Sequence, residues 1–144
     1  MERLFAIALL CLEGFEVWDN YESELDNLFM EYSDSDELLY LESLSDKKDI
    51  ILHTVALMNS TQIDIKSFGV VLMAYLFHEY QKDKTEINSF ANKTRKLWYD
   101  LPSEIEFIEP FHILSYADDP LSWGDERQCR ELYEKAFNYY ESQK

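Results

Sequence analysis

Three histidines, two cysteines and twenty-nine carboxylates are the side chains with which bond-making or proton transfer could begin in this chain. The histidines, His53, His78 and His112, are not part of a recognisable catalytic or metal arrangement. Glu109-Pro-Phe-His112 has the Glu-x-x-His spacing that di-iron helical bundles use, but such sites need two of these motifs and two further glutamates on long helices. Here there is one, and it contains a proline. His78-Glu79 lacks the second histidine, four positions from the first, that a zinc-protease helix requires. Gly14, Gly69 and Gly124 lie far apart, so no glycine-rich loop is present to cradle phosphate. No Ser-His or Cys-His pairing stands in a recognisable context, and paired carboxylates are uninformative among so many. The sequence therefore predicts no catalytic residue, metal site or cofactor, and a protein that is not an enzyme.

The chemistry that remains is recognition. From Leu4 to Asp46 the chain carries twelve acids and neither lysine nor arginine, whereas the rest holds seventeen acids against thirteen bases. Of the formal charge of -16, this segment supplies -12. A uniform sign over forty residues is self-repelling, and surfaces built only for solubility mix both signs. Aromatic residues alternate with the acids: Phe15, Trp18, Tyr21, Phe29, Tyr32 and Tyr40. Apolar rings inside a charged rim are the composition of a binding hot spot with a steering field. The expected partner-binding residues are Glu16, Trp18, Asp19, Tyr21, Glu22, Glu24, Asp26, Glu31, Asp34, Asp36 and Glu37. Trp18 and Tyr21 are the anchors in this reading, and the acids supply the field. A basic protein is the expected partner. Direct nucleic-acid binding is disfavoured because phosphates would be repelled and the main basic cluster, Lys93, Arg95 and Lys96, is small.

Helices must carry these residues. Three glycines and three prolines are too few for a hairpin-rich β fold, and 47% hydrophobic with 15% aromatic residues is too apolar for a disordered acidic tail. The periodicity predicts a first helix over Glu2 to Glu13, apolar nearly all round and ended by Gly14. An amphipathic helix over Glu22 to Tyr32 follows, with Leu25, Leu28, Phe29 and Tyr32 on its apolar face. Asp34 is expected to cap Asp36 to Ser43, which Leu38, Leu39, Leu41 and Leu44 would hold in place, and Ser45 to cap a helix reaching Met58. Asp64 opens the most apolar stretch, Ile65 to Gln81, expected to be a central helix enclosed by its neighbours. Thr85 would cap a helix to Tyr99. Between Ser103 and Trp123 the pattern is irregular, with a capping box at Ser103 and Glu106 and room for a short strand at Phe111 to Tyr116. Ser122 with Asp125 would cap a closing helix to Glu141, striped by Cys129, Leu132, Ala136, Phe137 and Tyr140. The loop Asp118 to Asp125, with Trp123 beside Gly124, suits a packed turn better than a recognition surface. The expected fold is all-α: a single compact domain, residues 1–144, of six or seven helices around the central one at 65–81.

Leu4 to Leu12 has the apolarity of a signal-peptide core, yet Glu2 offsets Arg3, Glu13 follows directly and no cleavage pattern of small residues is seen. Nine residues cannot span a bilayer. Cys11 and Cys129 are read as buried thiols in a reducing compartment. The expectation is a cytoplasmic protein that does not engage membranes.

The charge split, Trp18-Asp-Asn-Tyr21 with the acids after it, and the helical run from Asp64 to Gln81 together resemble the immunity proteins of bacterial toxin systems, of the contact-dependent growth inhibition and colicin-like kinds. That resemblance implies a cognate toxin, often a basic nuclease, whose active site or substrate groove an acidic surface covers. Two other readings stay open. One is a nucleic-acid mimic that blocks a DNA-binding protein. The other is a small helical ligand-binding domain, with a site near His78, His112 and Trp123, or an adaptor.

Overall fold

A computed structural model describes residues 1–82 and 86–143. Among them the regular structure is entirely helical: α1 Glu2–Leu12, α2 Trp18–Glu31, α3 Asp36–Ser43, α4 Lys47–Ser60, α5 Ile65–Lys82, α6 Ile87–Tyr99, the single turn α7 Ile113–Tyr116, and α8 Glu126–Phe137. Short 3-10 turns occupy Asp119–Trp123 and Glu141–Gln143. The chain divides into two compact units, Met1–Phe68 and Gly69–Lys144.

In the first unit α1 packs against α2 and α4, and α3 against α2 and α4. Residues Leu4 to Leu10 are all buried, as an uncharged helical run without a polar face must be. Gly14 ends α1 at φ 92°, a conformation that a Cβ would strain. Its N–H donates to the Cys11 carbonyl and that of Phe15 to the Leu10 carbonyl, the hydrogen-bond pair of a Schellman ending.

α2 starts four residues before its expected origin. Val17 stands at its N-cap without a side-chain hydrogen bond, so the usual Ser, Thr, Asp or Asn signal was absent. Two other caps fall one residue later than the sequence suggests. Ser35, not Asp34, accepts from the Leu38 N–H, and Asp46, not Ser45, accepts from that of Lys48. In each case the chosen side chain sits where its oxygen reaches an N–H of the first turn.

α5 begins at Ile65 as expected and ends one residue beyond Gln81, opened by the Asp64 carboxylate accepting from the Ser67 N–H. Phe68, Leu72, Met73 and Leu76 are buried, but Val70, Ala74 and Phe77 are exposed, so the apolar run is not covered on every side. In the second unit α7 contacts α6 and α8, and Tyr80, Phe90, Tyr133 and Phe137 form one ring cluster with centroids 5.0 to 6.3 Å apart. Gly69 is required by close approach, since a Cβ would collide with the Tyr140 hydroxyl and come within 3.0 Å of the Phe111 ring.

The cap expected at Thr85 lies outside the described residues. Residues 103–110 form turns without the Ser103 and Glu106 capping box, and the strand considered for 111–116 is instead a turn at 111–112 followed by α7 itself. Asp125 alone caps α8, accepting from the Gln128 N–H, while the Ser122 hydroxyl donates to the Asp119 carbonyl. The helix stops at Phe137, short of Glu141. Its buried stripe includes Tyr133, one turn after Cys129, which the sequence reading passed over.

Candidate functional site

The predicted site residues separate into two groups. Glu16, Asp19, Glu22, Asp26, Glu31, Asp34, Asp36 and Glu37 are exposed. Among the described residues the one ion pair that any of the predicted carboxylates makes is Glu24 Oε2 to Arg3 Nε, at 3.4 Å. Asp19, Glu22 and Asp26 recur at i, i+3 and i+7, which places them along one face of α2. That face continues onto α3. Burial first, and then the charge and hydrogen bonding of Asp26, push the Glu42 carboxyl upward. The Glu31 charge, then its hydrogen bond, likewise pushes up the Tyr32 phenol. The Tyr32 shift, and the lesser part of the Glu42 shift, register neighbouring negative charge. Glu31 closes α2, and none of the last turns of α1 to α4 holds a basic residue to offset the negative end of its helix dipole.

The two expected anchors are not free to act as such. Tyr21 is 0% exposed, and its hydroxyl lies 2.6 Å from Thr54 Oγ1. The Thr54 hydroxyl donates to the Ile50 carbonyl at 2.8 Å, so the Tyr21 hydroxyl is the donor to Thr54. Burial pushes the Tyr21 phenol up to about 12. Trp18 is half-buried, stacked on Tyr21 at 4.9 Å and covered by the Lys47 ammonium 5.2 Å from its ring. Sequence held the clue: Tyr21, Leu25 and Leu28 recur at i, i+4 and i+7, so the apolar stripe of α2 extends back to Tyr21.

Other apolar side chains take the exposed positions beside the acids. Met30 is 84% exposed, and Tyr32, Leu39, Tyr40 and Leu52 are also open to solvent. Tyr32 and Leu39 were expected on buried faces. A groove of about 260 Å³ lies between α3 and α4, lined by Glu37, Tyr40 and Leu41 from one side and by His53, Ala56 and Leu57 from the other. The rings of Tyr40 and His53 meet edge-on at 5.2 Å. A second groove of about 480 Å³ is bordered by Cys11, Lys47, Lys48 and Ile51. Cys11 is half-buried, not fully enclosed as expected, and burial pushes its thiol up to about 11 against the lowering pull of Lys47. It is a poor nucleophile at neutral pH.

The second unit handles charge differently. Arg95 Nη1 binds Asp118 Oδ1 at 3.0 Å and Asp119 Oδ1 at 3.6 Å, and donates to the Ser115 carbonyl. Arg127 pairs with Glu131 and Arg130 with Glu126, each at 3.1 Å, and Lys82 with Glu79 at 3.2 Å. Much of the basic content is thus committed to local acids. His112 sits between the Phe107 and Tyr116 rings, at 5.7 and 5.4 Å, while His78 and Trp123 are exposed. Among the described residues no group of three or more His, Cys, Asp or Glu side chains could hold a metal ion, and no helix is long and apolar enough to cross a membrane. No family model, curated protein or solved structure matches the chain.

Proposed function

We propose that the protein binds and neutralises a basic partner protein, acting as an immunity protein that occludes the active site or substrate groove of a nuclease-like toxin. The observation that carries this reading is the row of exposed carboxylates on α2 and α3 that make no ion pair among the described residues. Such a surface stores repulsion that a basic partner would relieve. It would also steer encounter toward about 10⁸ M⁻¹s⁻¹ at low salt. The carboxylates take the positions that substrate phosphates occupy, so the action is steric and electrostatic and needs no catalytic group. Two free cysteines fit a reducing compartment, and the cytoplasm is where the complex would form.

The test is recovery of partners from the native organism on the tagged full-length protein, with washes at low and then high salt. One basic protein retained at low salt and released at high salt is the expected result, and an empty or indiscriminate recovery overturns the reading. With the partner in hand, Glu22→Lys, Asp26→Lys and Glu31→Lys together should slow association at least tenfold and flatten its salt dependence. An unchanged association rate would remove the electrostatic mechanism.

A further inference from the structure

We infer that the groove between α3 and α4 seats an amphipathic, basic helix of the partner, so that the apolar contact of the acidic surface lies there and not at Trp18 and Tyr21. This rests on the reading that the first unit binds a basic protein, and it adds where and in what form that partner docks. At about 260 Å³ the groove is smaller than the roughly 300–1,000 Å³ of small-molecule sites, and it suits a pair of inserted side chains. Its wall on α4 runs from His53 to Ser60, about 10 Å at helical rise, or two turns of a docked helix. The floor and walls are mainly carbon: Tyr40, Leu41, Ala56 and Leu57, with the Tyr40 ring half-exposed and held edge-on by His53.

Charge specifies the occupant. Glu37 lines the groove, Asp34 and Asp36 precede it in the turn that opens α3, and Glu31 closes the helix before that turn. The exposed Met30 and Tyr32 lie in the same stretch of chain. An apolar channel bordered by Glu37, with Glu31, Asp34 and Asp36 in the chain segment just before it, is complementary to a segment with leucine-like residues on one face and lysine or arginine at its borders. The segment should be helical, because the groove offers side-chain surface with few backbone hydrogen-bonding groups. A helix satisfies its own backbone, whereas an extended strand would need a sheet edge.

The probe is a synthetic 14-residue leucine–lysine peptide of helical period, titrated into the full-length protein and followed by nuclear magnetic resonance and fluorescence anisotropy. Shifts concentrated at Tyr40, His53 and Leu57 are expected. A peptide of equal charge with two central prolines should bind at least tenfold more weakly. Ala56→Trp, an exposed position where added bulk fills the groove without changing charge, should weaken the helical peptide at least tenfold, with circular dichroism confirming an intact fold. Equal binding of both peptides to the native and Ala56→Trp proteins, still sensitive to salt, would overturn the groove while leaving the acidic-surface reading in place. Binding of neither peptide would overturn both.

Discussion

Residues 1–68 hold fifteen acids and four bases, residues 69–144 fourteen acids and nine bases. The acid counts hardly differ, so the contrast between the units lies in what the acids face. In the second unit carboxylates meet arginine or lysine one helical turn away, as with Glu126 and Arg130, or across the fold, as with Asp118 and Arg95. In the first, Glu24 meets Arg3, but Asp26 and Glu42 meet one another. Solubility alone would be served by either arrangement, and the paired one is less self-repelling. Their cores differ too. The first unit closes on stacked Trp18 and Tyr21 with a satisfied Tyr21 to Thr54 hydrogen bond, while the second closes on a ring cluster in which the buried Tyr133 hydroxyl has no hydrogen-bond partner among the described residues.

The sharpest break should come from the ring cluster. Phe90 is fully buried and 5.0 Å from the Tyr133 ring, so Phe90→Ala should cost about 3–5 kcal/mol in urea unfolding. A loss below about 1 kcal/mol would show that the cluster does not organise the second unit.

High pH should unsettle both units, more strongly the second. Burial raises Cys11 and Cys129 to about 11 and Tyr21 and Tyr140 to about 12, and it raises Tyr133 as well. Each group holds its proton more tightly when folded, so the stabilisation is complete below the ordinary thiol and phenol values of 9.0 and 10.0. It is lost as pH climbs through the folded-state values. Melting temperature should therefore decline steadily above about pH 9, tracking phenolate absorbance, and a flat profile to pH 12 would contradict the burial of these groups.

The two buried tyrosines give a finer comparison. Tyr21→Phe removes a satisfied hydrogen bond and should cost about 1 kcal/mol, whereas Tyr133→Phe removes an orphan hydroxyl and should be neutral or stabilising. Equal effects in denaturant unfolding would erase the distinction.

The smallest effects concern surface charge. Asp26→Asn should raise the melting temperature slightly by relieving Glu42, and this gain should shrink with added salt. Arg127→Ala, which breaks an exposed pair with Glu131, should change stability by at most about 0.5 kcal/mol. A larger loss for Arg127→Ala than for Tyr21→Phe would reverse the ranking of core over surface.

Most helices were legible because their causes are local. The i, i+3, i+4 spacing of Leu25, Leu28 and Phe29, the Gly14 terminator and the Asp64 opening each depend on a few neighbouring residues. Reading failed where the local signal was weak or split. Val17 caps α2 without a polar side chain, and Ser33-Asp-Ser-Asp36 offers several capping oxygens of which Ser35 is the one used. The turns before α7, with Pro102 and Pro110, have no period to read. Of the site, the acids were legible and the apolar contact was not. An aromatic among carboxylates looks alike whether it faces water or core, and Tyr21 was misplaced for that reason.

Sequence by itself determined the helical class, through sparse glycine and proline and repeated 3.6-residue periods, and it determined that the negative charge would be concentrated early in the chain. Those properties are sums over local composition and spacing. Tertiary structure decided that Tyr21 reaches Thr54, thirty-three residues away, that Lys47 covers Trp18, and that Tyr40 and His53 open a groove beside Glu37. Each of these depends on which face one helix turns toward another, a choice made by packing and not carried by either helix alone.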